Sequence, residues 1–213
     1  MTGWPLVAYD AALAGDGHVL RDADGRRVEV GRWCGDLVPG DRGLVERSNG
    51  ATLDVGCGPG RLAAAVAWRE LPVLGIDVSL RAVMLTRARG VSALCRSVFD
   101  PLPGTGRWGT VLLADGNLGI GGDPGRLLGR VRALLAPDGH ALVEVEPPGT
   151  ASGSTQIRFE SADGDESPWV PWAWVCADDL DEIAADAGLA VGETWQDAGR
   201  WFAACVPAAP SPG

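Results

Sequence analysis

From about residue 50 the chain alternates short apolar runs with stretches whose apolar residues recur every three or four positions. The runs 51–56, 72–77, 91–98, 110–115 and 140–146 are nearly continuous in apolar residues, which predicts strands buried on both faces. Between them, 60–71, 79–90 and 124–136 carry helical spacing; in the last, Leu127, Leu128, Val131, Leu134 and Leu135 share one face. Ser79 is a predicted N-cap, Gly90 a helix end, and Asp123-Pro124 an N-cap followed by proline at the first helical position. This β-α-β-α repetition predicts an α/β fold with a doubly wound, mostly parallel sheet.

Two regions break this pattern. Residues 1–48 hold a short helix in WPLVAYDAALAG, a hairpin around Asp24-Gly25 and a helical turn at 41–48. This is too little for an independent unit and predicts a small N-terminal cap on the main domain, 49–206. STQIRFES and SPWVPWAWVC flank the turn-rich ADGDE, so about 152–176 reads as an inserted hairpin. A helix follows, with Leu180, Ile183, Ala184 and Ala187 inward. AVGETWQ and GRWFAACV then read as an antiparallel pair closing one sheet edge, and 207–213 as a disordered tail.

Composition narrows the function. The chain has 213 residues, 46% hydrophobic and 22% charged, as one soluble domain would. Its formal net charge of −10 opposes nucleic-acid phosphates and anionic membrane surfaces, so neither is expected as a partner. Every basic residue but histidine is arginine, which excludes lysine Schiff bases and a Walker-type lysine. Five cysteines without a C-x-x-C argue against a disulfide framework or a zinc site, and no metal is expected. Neither a signal peptide nor a membrane-spanning run is readable, so a cytoplasmic protein with reduced thiols is expected.

The segment Leu53-Asp54-Val55-Gly56-Cys57-Gly58-Pro59-Gly60-Arg61 carries the chemistry. A strand ends, three glycines alternate and a helix begins, so backbone N–H groups face a closely approaching ligand. A dinucleotide fingerprint would be G-x-G-x-x-G. Here the third glycine comes one residue early, and an acid stands two residues before the first. That combination resembles motif I of the class I S-adenosylmethionine-dependent methyltransferases. The resemblance extends over about 50–147 and 176–206, through GID at 75–77, TVLLADGNLGIGGDP and LLAPDGHALVEVEPPG.

The resemblance implies a Rossmann-like sheet with an antiparallel final strand and S-adenosyl-L-methionine as cofactor. It implies Gly56, Cys57, Gly58 and Gly60 around the cofactor, Asp54 toward its ammonium, and Asp77, with Val78 beside it, on the ribose hydroxyls. Adenine would lie against Ser97, Val98 and Phe99. Many members carry an acid there that this chain lacks, and Asp100 comes slightly late. Asp115 and Gly116 would face the methionine end. The implied reaction is direct in-line methyl transfer, which depends largely on proximity and alignment.

Acceptor residues have weaker signals. Asn117 either orients an acceptor or closes an Asx turn. His18 is the imidazole able to reach an acceptor, and Glu146, nearer the crevice than Glu144, is the other candidate base; a solvated or ion-paired strand end is the competing reading for Glu146. Trp172 and Trp174 share a strand face, and Trp33 could oppose them; they are either hairpin packing or an aromatic wall. The expected acceptor is a small, largely apolar or aromatic molecule without phosphate, since Arg26 and Arg27 stand among Asp22, Asp24 and Glu29. Two rivals remain: a non-catalytic S-adenosylmethionine- or S-adenosylhomocysteine-binding protein, and a nicotinamide-dependent oxidoreductase, against which the loop spacing argues.

Overall fold

A computed structural model describes residues 4–15, 17–29 and 33–209 of the chain. The chain begins with α1 (Trp4–Ala12), β1 (Val19–Asp22), β2 (Arg27–Glu29) and α2 (Asp41–Arg47). Then come β3 (Thr52–Val55), α3 (Arg61–Ala67), β4 (Val73–Asp77), α4 (Leu80–Ala88), β5 (Ser92–Cys95) and β6 (Trp108–Leu113). A kinked 3-10 segment (Asn117–Gly122) leads into α5 (Pro124–Leu134) and β7 (Leu135–Val145). The chain continues through β8 (Gly153–Glu160), β9 (Val170–Trp174), α6 (Leu180–Asp186), β10 (Leu189–Asp197) and β11 (Arg200–Pro207).

Seven strands form the central sheet in the order β10-β11-β7-β6-β3-β4-β5. Strands β3 to β7 are parallel; β11 runs antiparallel to β7, and β10 antiparallel to β11. Alternate residues of each strand feed opposite faces. Val111, Leu113, Ala141 and Val143 meet Leu127, Leu128, Val131 and Leu134 of α5 and Leu180 of α6. Leu112 and Leu142 turn the other way, onto Leu44 and Val45 of α2 and Leu62 and Val66 of α3. The four α5 side chains are fully buried, at roughly 1.5–3 kcal/mol each. Strand order reverses at β3, which lies between β4 and β6, and in open α/β sheets that reversal opens a crevice beyond the strand ends.

Local signals act as the sequence predicts at two helix starts. Ser79 Oγ accepts from Ala82 N at 2.9 Å, and Asp123 Oδ1 accepts from Arg126 N at 2.9 Å. Other boundaries differ. Helix α3 stops at Ala67; Trp68 is 88% exposed, and Glu70 takes a left-handed φ of 63° that no helix continues. Leu135 leaves the helix and starts β7. Strand β5 ends at Cys95, so Ser97 to Phe99 belong to the turn beyond it.

The two regions outside the pattern combine. Strand β1 pairs antiparallel with β2 and also with β8, which pairs with β9, giving a second sheet in the order β2-β1-β8-β9. One face packs Leu20, Ile157 and Phe159 on Ala8 and Ala12 of α1. At the C-terminus Pro207 still belongs to β11, and Ala208 N–H donates to Gly188 O at 3.0 Å; residues 210–213 of the expected tail, like 1–3, 16 and 30–32 of the N-terminal cap, lie outside the described residues. No helix among the described residues is long and apolar enough to cross a membrane.

Candidate active site

Between the two sheets lies a cavity of about 1380 Å³, lined by the glycine loop, the ends of β4 and β6, the 3-10 segment and the second sheet. The loop glycines differ in what they face. A Cβ on Gly56 would lie 2.7 Å from Asn117 Nδ2, and one on Gly60 2.6 Å from Thr86 Oγ1. Those two are closed in by the protein itself. At Gly58, φ +52°, the nearest neighbour of such a Cβ is Tyr9 Oη at 3.5 Å. Gly58 therefore opens toward the cavity, in a conformation that L side chains rarely adopt.

Gly58 N–H donates to Asp77 Oδ2 at 3.0 Å, and Ser79 N–H to Asp77 Oδ1 at 2.8 Å. Tyr9 Oη, on α1, stands 3.4 Å from Asp77 Oδ2 as a third donor. Asp77 ends β4, is 4% exposed and lines the cavity. Burial pushes its pKa up to about 6, against the pull of the two amides. Burial, and then the Asp77 charge, push the Tyr9 phenol well above its ordinary value. Oδ1 keeps one acceptor position for a ligand, and a ligand hydroxyl that replaces the long Tyr9 contact would gain one on Oδ2. Val78, beside it, is half exposed and also lines the cavity.

Asp54 departs from expectation. It is 3% exposed and does not line the cavity. Its Oδ2 has no hydrogen-bond partner, and burial pushes its pKa up to about 7 despite the nearby Arg61 charge. All four residues of β3 are buried, which keeps this side chain inside the protein and away from the cavity wall. Cys57 lines the cavity but is buried, with Sγ 3.5 Å from Thr86 Oγ1. Burial drives its thiol pKa far up, which keeps it neutral and inert.

Ser97, Val98 and Phe99 all line the cavity. Ser97 Oγ already accepts from Phe99 N–H at 3.2 Å, so only its second lone pair remains for an amino donor. Asp100 does not line the cavity; its Oδ2 accepts from Ser97 N–H at 3.1 Å. The Phe99 ring carries the Arg126 guanidinium at 4.3 Å.

Asp115 and Gly116, at φ 56° and 79°, turn the chain left-handed after β6. A buried ion network fixes this turn. Arg61 pairs with Asp41 at 2.8 Å and with Asp115 at 2.5 Å. Arg200 pairs with Asp41 at 2.7 Å and with Glu144 at 2.8 Å. Glu144 also accepts from Asp115 N–H at 2.5 Å. Hydrogen bonds from both arginines hold the Asp41 carboxyl below its ordinary range although burial opposes them. Asn117 is spent in the same way: its Nδ2 donates to Val55 O at 2.9 Å and Gly56 O at 3.0 Å. It braces the glycine loop while still lining the cavity.

Neither candidate base fits the part expected of it. His18, which precedes β1, does not line the cavity. Glu146 lines the cavity but is ion-paired with Arg26 at 3.1 Å, which occupies its oxygens. Arg26 in turn lies 4.5 Å over the Trp174 ring. Trp33, Trp172 and Trp174 all line the cavity, half-buried against the apolar face of the second sheet. A Cβ on Gly116 would lie 3.3 Å from Trp174 Cζ3 and 3.9 Å from Trp172 Nε1, so both indoles stand directly beside the Asp115-Gly116 turn.

Sequence reading missed Tyr9, Asp41, Arg61 and Arg200. Arg61 had a signal: a cation in the first turn of a helix opposes the helix dipole, and needs carboxylates around it. Arg200 had none, since only the pairing of β11 with β7 brings it beside Glu144. Among the described residues no group of three His, Cys, Asp or Glu side chains is arranged to hold a metal ion.

No protein-family model and no curated protein matches the chain. Solved structures do. An S-adenosylmethionine-dependent methyltransferase from Bacteroides fragilis, in complex with S-adenosyl-L-homocysteine, superposes with a TM-score of 0.80 at 22% identity over 98% of both chains. The 1,6-didemethyltoxoflavin-N1-methyltransferase of Burkholderia thailandensis gives 0.59 at 17% identity, over 79% of this chain and 77% of that one. A sugar N-methyltransferase from Streptoalloteichus gives 0.59 at 16%, over 79% and 85%. The chain thus has the class I methyltransferase fold, with its mixed, mostly parallel sheet.

Proposed function

We propose that this protein is a class I S-adenosylmethionine-dependent methyltransferase acting on a small molecule with an apolar or aromatic body. The observation that carries the reading is the joined Gly58–Asp77 unit opening onto a cavity of about 1380 Å³. A pocket for one drug-sized ligand measures roughly 300–1,000 Å³, so this one has room for a cofactor and an acceptor together. The similar structures support the reading, because the Bacteroides and Burkholderia proteins hold S-adenosylhomocysteine and the Burkholderia and Streptoalloteichus proteins act on small molecules.

The residues present fit the cofactor. Gly58 leaves space where any side chain would stand, and Asp77 offers a buried carboxylate with spare acceptor capacity, suited to a pair of hydroxyls. Val78, Ser97, Val98 and Phe99 supply a mostly apolar stretch of wall for a flat base, and Asp115-Gly116 a rigid turn near the acceptor side. When bound, S-adenosylmethionine supplies a sulfonium methyl group open to direct in-line displacement. The protein's part is alignment. Arg61, Arg200 and Glu144 hold the Asp115 turn, Asn117 holds the glycine loop, and the indoles exclude water. No side chain is assigned as general base, since Glu146 is neutralised by Arg26. The five cysteines are free, which suits a cytoplasmic enzyme of small-molecule metabolism.

Calorimetry with S-adenosylhomocysteine and with NAD, followed by transfer of a labelled methyl group to metabolites of a cell extract, tests the proposal. Binding of the former and label in a small molecule are expected. Binding without transfer would instead favour a non-catalytic cofactor-binding protein, and NAD binding would overturn the reading.

A further inference from the structure

Arginines apart, the titratable side chains that line the cavity are, among the described residues, Tyr9, Cys57, Asp77, Asp115, Glu144 and Glu146. A hydroxyl acceptor of ordinary acidity needs a base, because its proton must leave as the oxygen attacks the methyl group. None of the six is free for that. Burial pushes the Tyr9 phenol and the Cys57 thiol well above their ordinary values, so both stay protonated. Asp115 is paired with Arg61, Glu144 with Arg200 and Glu146 with Arg26, and protonating any of the three would give up an ion pair. Asp77 has a backbone amide on each oxygen, and in the cofactor reading its remaining capacity goes to the ribose. The chain has no lysine and two histidines, and neither His18 nor His140 lines the cavity.

The wall at the Asp115-Gly116 turn suits a positive charge. Asp115 and Glu144 lie there, in a network of three carboxylates with Asp41 and two guanidiniums, Arg61 and Arg200. Trp172 and Trp174 stand beside the same turn. The Trp174 ring already carries the Arg26 guanidinium at 4.5 Å, the arrangement in which an aromatic face attracts a cation. A nucleophile that is itself an anion, such as a carboxylate or a thiolate, would leave water to lie against these carboxylates and apolar rings. A neutral nitrogen costs less to bring in. As it attacks, it takes over the positive charge that leaves the sulfur, so the site holds one cation before and after the transfer.

We propose that the acceptor atom is an uncharged, weakly basic nitrogen, that of an arylamine or of a heteroaromatic ring. An aliphatic amine does not fit, since its pKa is close to that of lysine, about 10.4, and as an ammonium it too needs a base to free its lone pair. The nitrogen lone pair forms the new C–N bond while the C–S bonding pair stays on sulfur, giving S-adenosylhomocysteine and a methylated nitrogen cation. A ring nitrogen keeps that charge, and an arylamine afterwards gives an N–H proton to water. The aromatic body that such a nitrogen brings is the one for which Trp33, Trp172 and Trp174 line the cavity. The proposal rests on the methyltransferase reading and narrows it to one class of acceptor.

The test locates the transferred methyl group. The protein is incubated with methyl-labelled S-adenosylmethionine and the metabolites of a cell extract, and fragmentation in a mass spectrometer places the label in the product. Label on an arylamine or heteroaromatic nitrogen is expected. With that acceptor and saturating cofactor, kcat/KM should be level above the pKa of the acceptor's own conjugate acid and fall about tenfold per pH unit below it. The break should move with basicity when a ring-substituted analogue replaces the acceptor. A break that stays in place marks a base on the protein and overturns the proposal. Label on a hydroxyl, carboxylate, thiol, carbon or aliphatic amine overturns it as well, and leaves the methyltransferase reading standing. No labelled product at all overturns both.

Discussion

The amide of Gly58 donates to Asp77 Oδ2 at 3.0 Å, tying the glycine loop after β3 to the end of β4. The loop and the acid are therefore one unit, and a change in either is felt at the same wall of the cavity. The neighbouring glycines serve the fold: Gly56 lies under Asn117 and Gly60 against Thr86.

That division separates two substitutions. Gly58→Val adds a side chain where the nearest atom is 3.5 Å away, so the chain should fold, with some strain from the left-handed φ. Binding of S-adenosylhomocysteine should fall by at least about tenfold, equivalent to 1.4 kcal/mol. Gly60→Val forces a Cβ to within 2.6 Å of Thr86 and should abolish cooperative folding. Calorimetry and thermal melting on the two variants read the difference; unchanged affinity in Gly58→Val would remove the loop from the site.

Asp77 sets a pH dependence. Its pKa is raised by burial to about 6, and only the ionised carboxylate accepts from two hydroxyls at once. Affinity for S-adenosylhomocysteine should be constant above pH 7 and fall as pH drops through 6, approaching about tenfold per unit. Asp77→Asn should bind on the order of tenfold to a hundredfold more weakly and lose that dependence. A wild-type profile flat from pH 5 to 8 would contradict the assignment.

Asp54 makes the opposite contribution, to stability. Its folded pKa of about 7 exceeds the value of about 3.9 expected unfolded. Between those values the folded state holds the extra proton, so this group lowers stability as pH rises from 4 to 7. Asp54→Asn removes the buried charge and should be the more stable protein at pH 8, by an amount on the order of 1–4 kcal/mol. Denaturant melts at pH 5 and pH 8 give the sign, and a destabilised variant at pH 8 would show that the carboxylate is compensated in solution.

Arg61 and Asp41 form a buried pair, with side chains 5% and 0% exposed. Arg61→Met leaves two carboxylates on Arg61's side of the network with only Arg200 between them. Removing one partner of a buried pair costs roughly 3–5 kcal/mol, and thermal melting should register it. Arg42→Ala removes the exposed partner of Glu46 and should leave the melting temperature where it was. Equal effects of the two substitutions would mean that the buried network carries no weight.

Interactions between neighbours along the chain account for the features that were legible before any contact was known. The near-continuous apolar strands, the Ser79 and Asp123-Pro124 helix starts and the strand-glycine-helix turn of 53–61 follow from backbone preference and side-chain period, and these act within a few residues. Asp77 was legible for the same reason, as the last residue of the next buried strand. Tertiary structure alone decided what depends on strand order and on how the two sheets face each other. It paired Val19–Asp22 with Ile157–Glu160, which turned two separate hairpins into one roof. It spent Asn117 on the carbonyls of Val55 and Gly56, and Glu146 on Arg26, although their positions in sequence suited an acceptor. It also gathered Asp41, Arg61, Asp115, Glu144 and Arg200 from five segments into one buried network. An ion pair depends on distance through space, and no periodicity along the chain encodes which charges a seven-stranded sheet brings together.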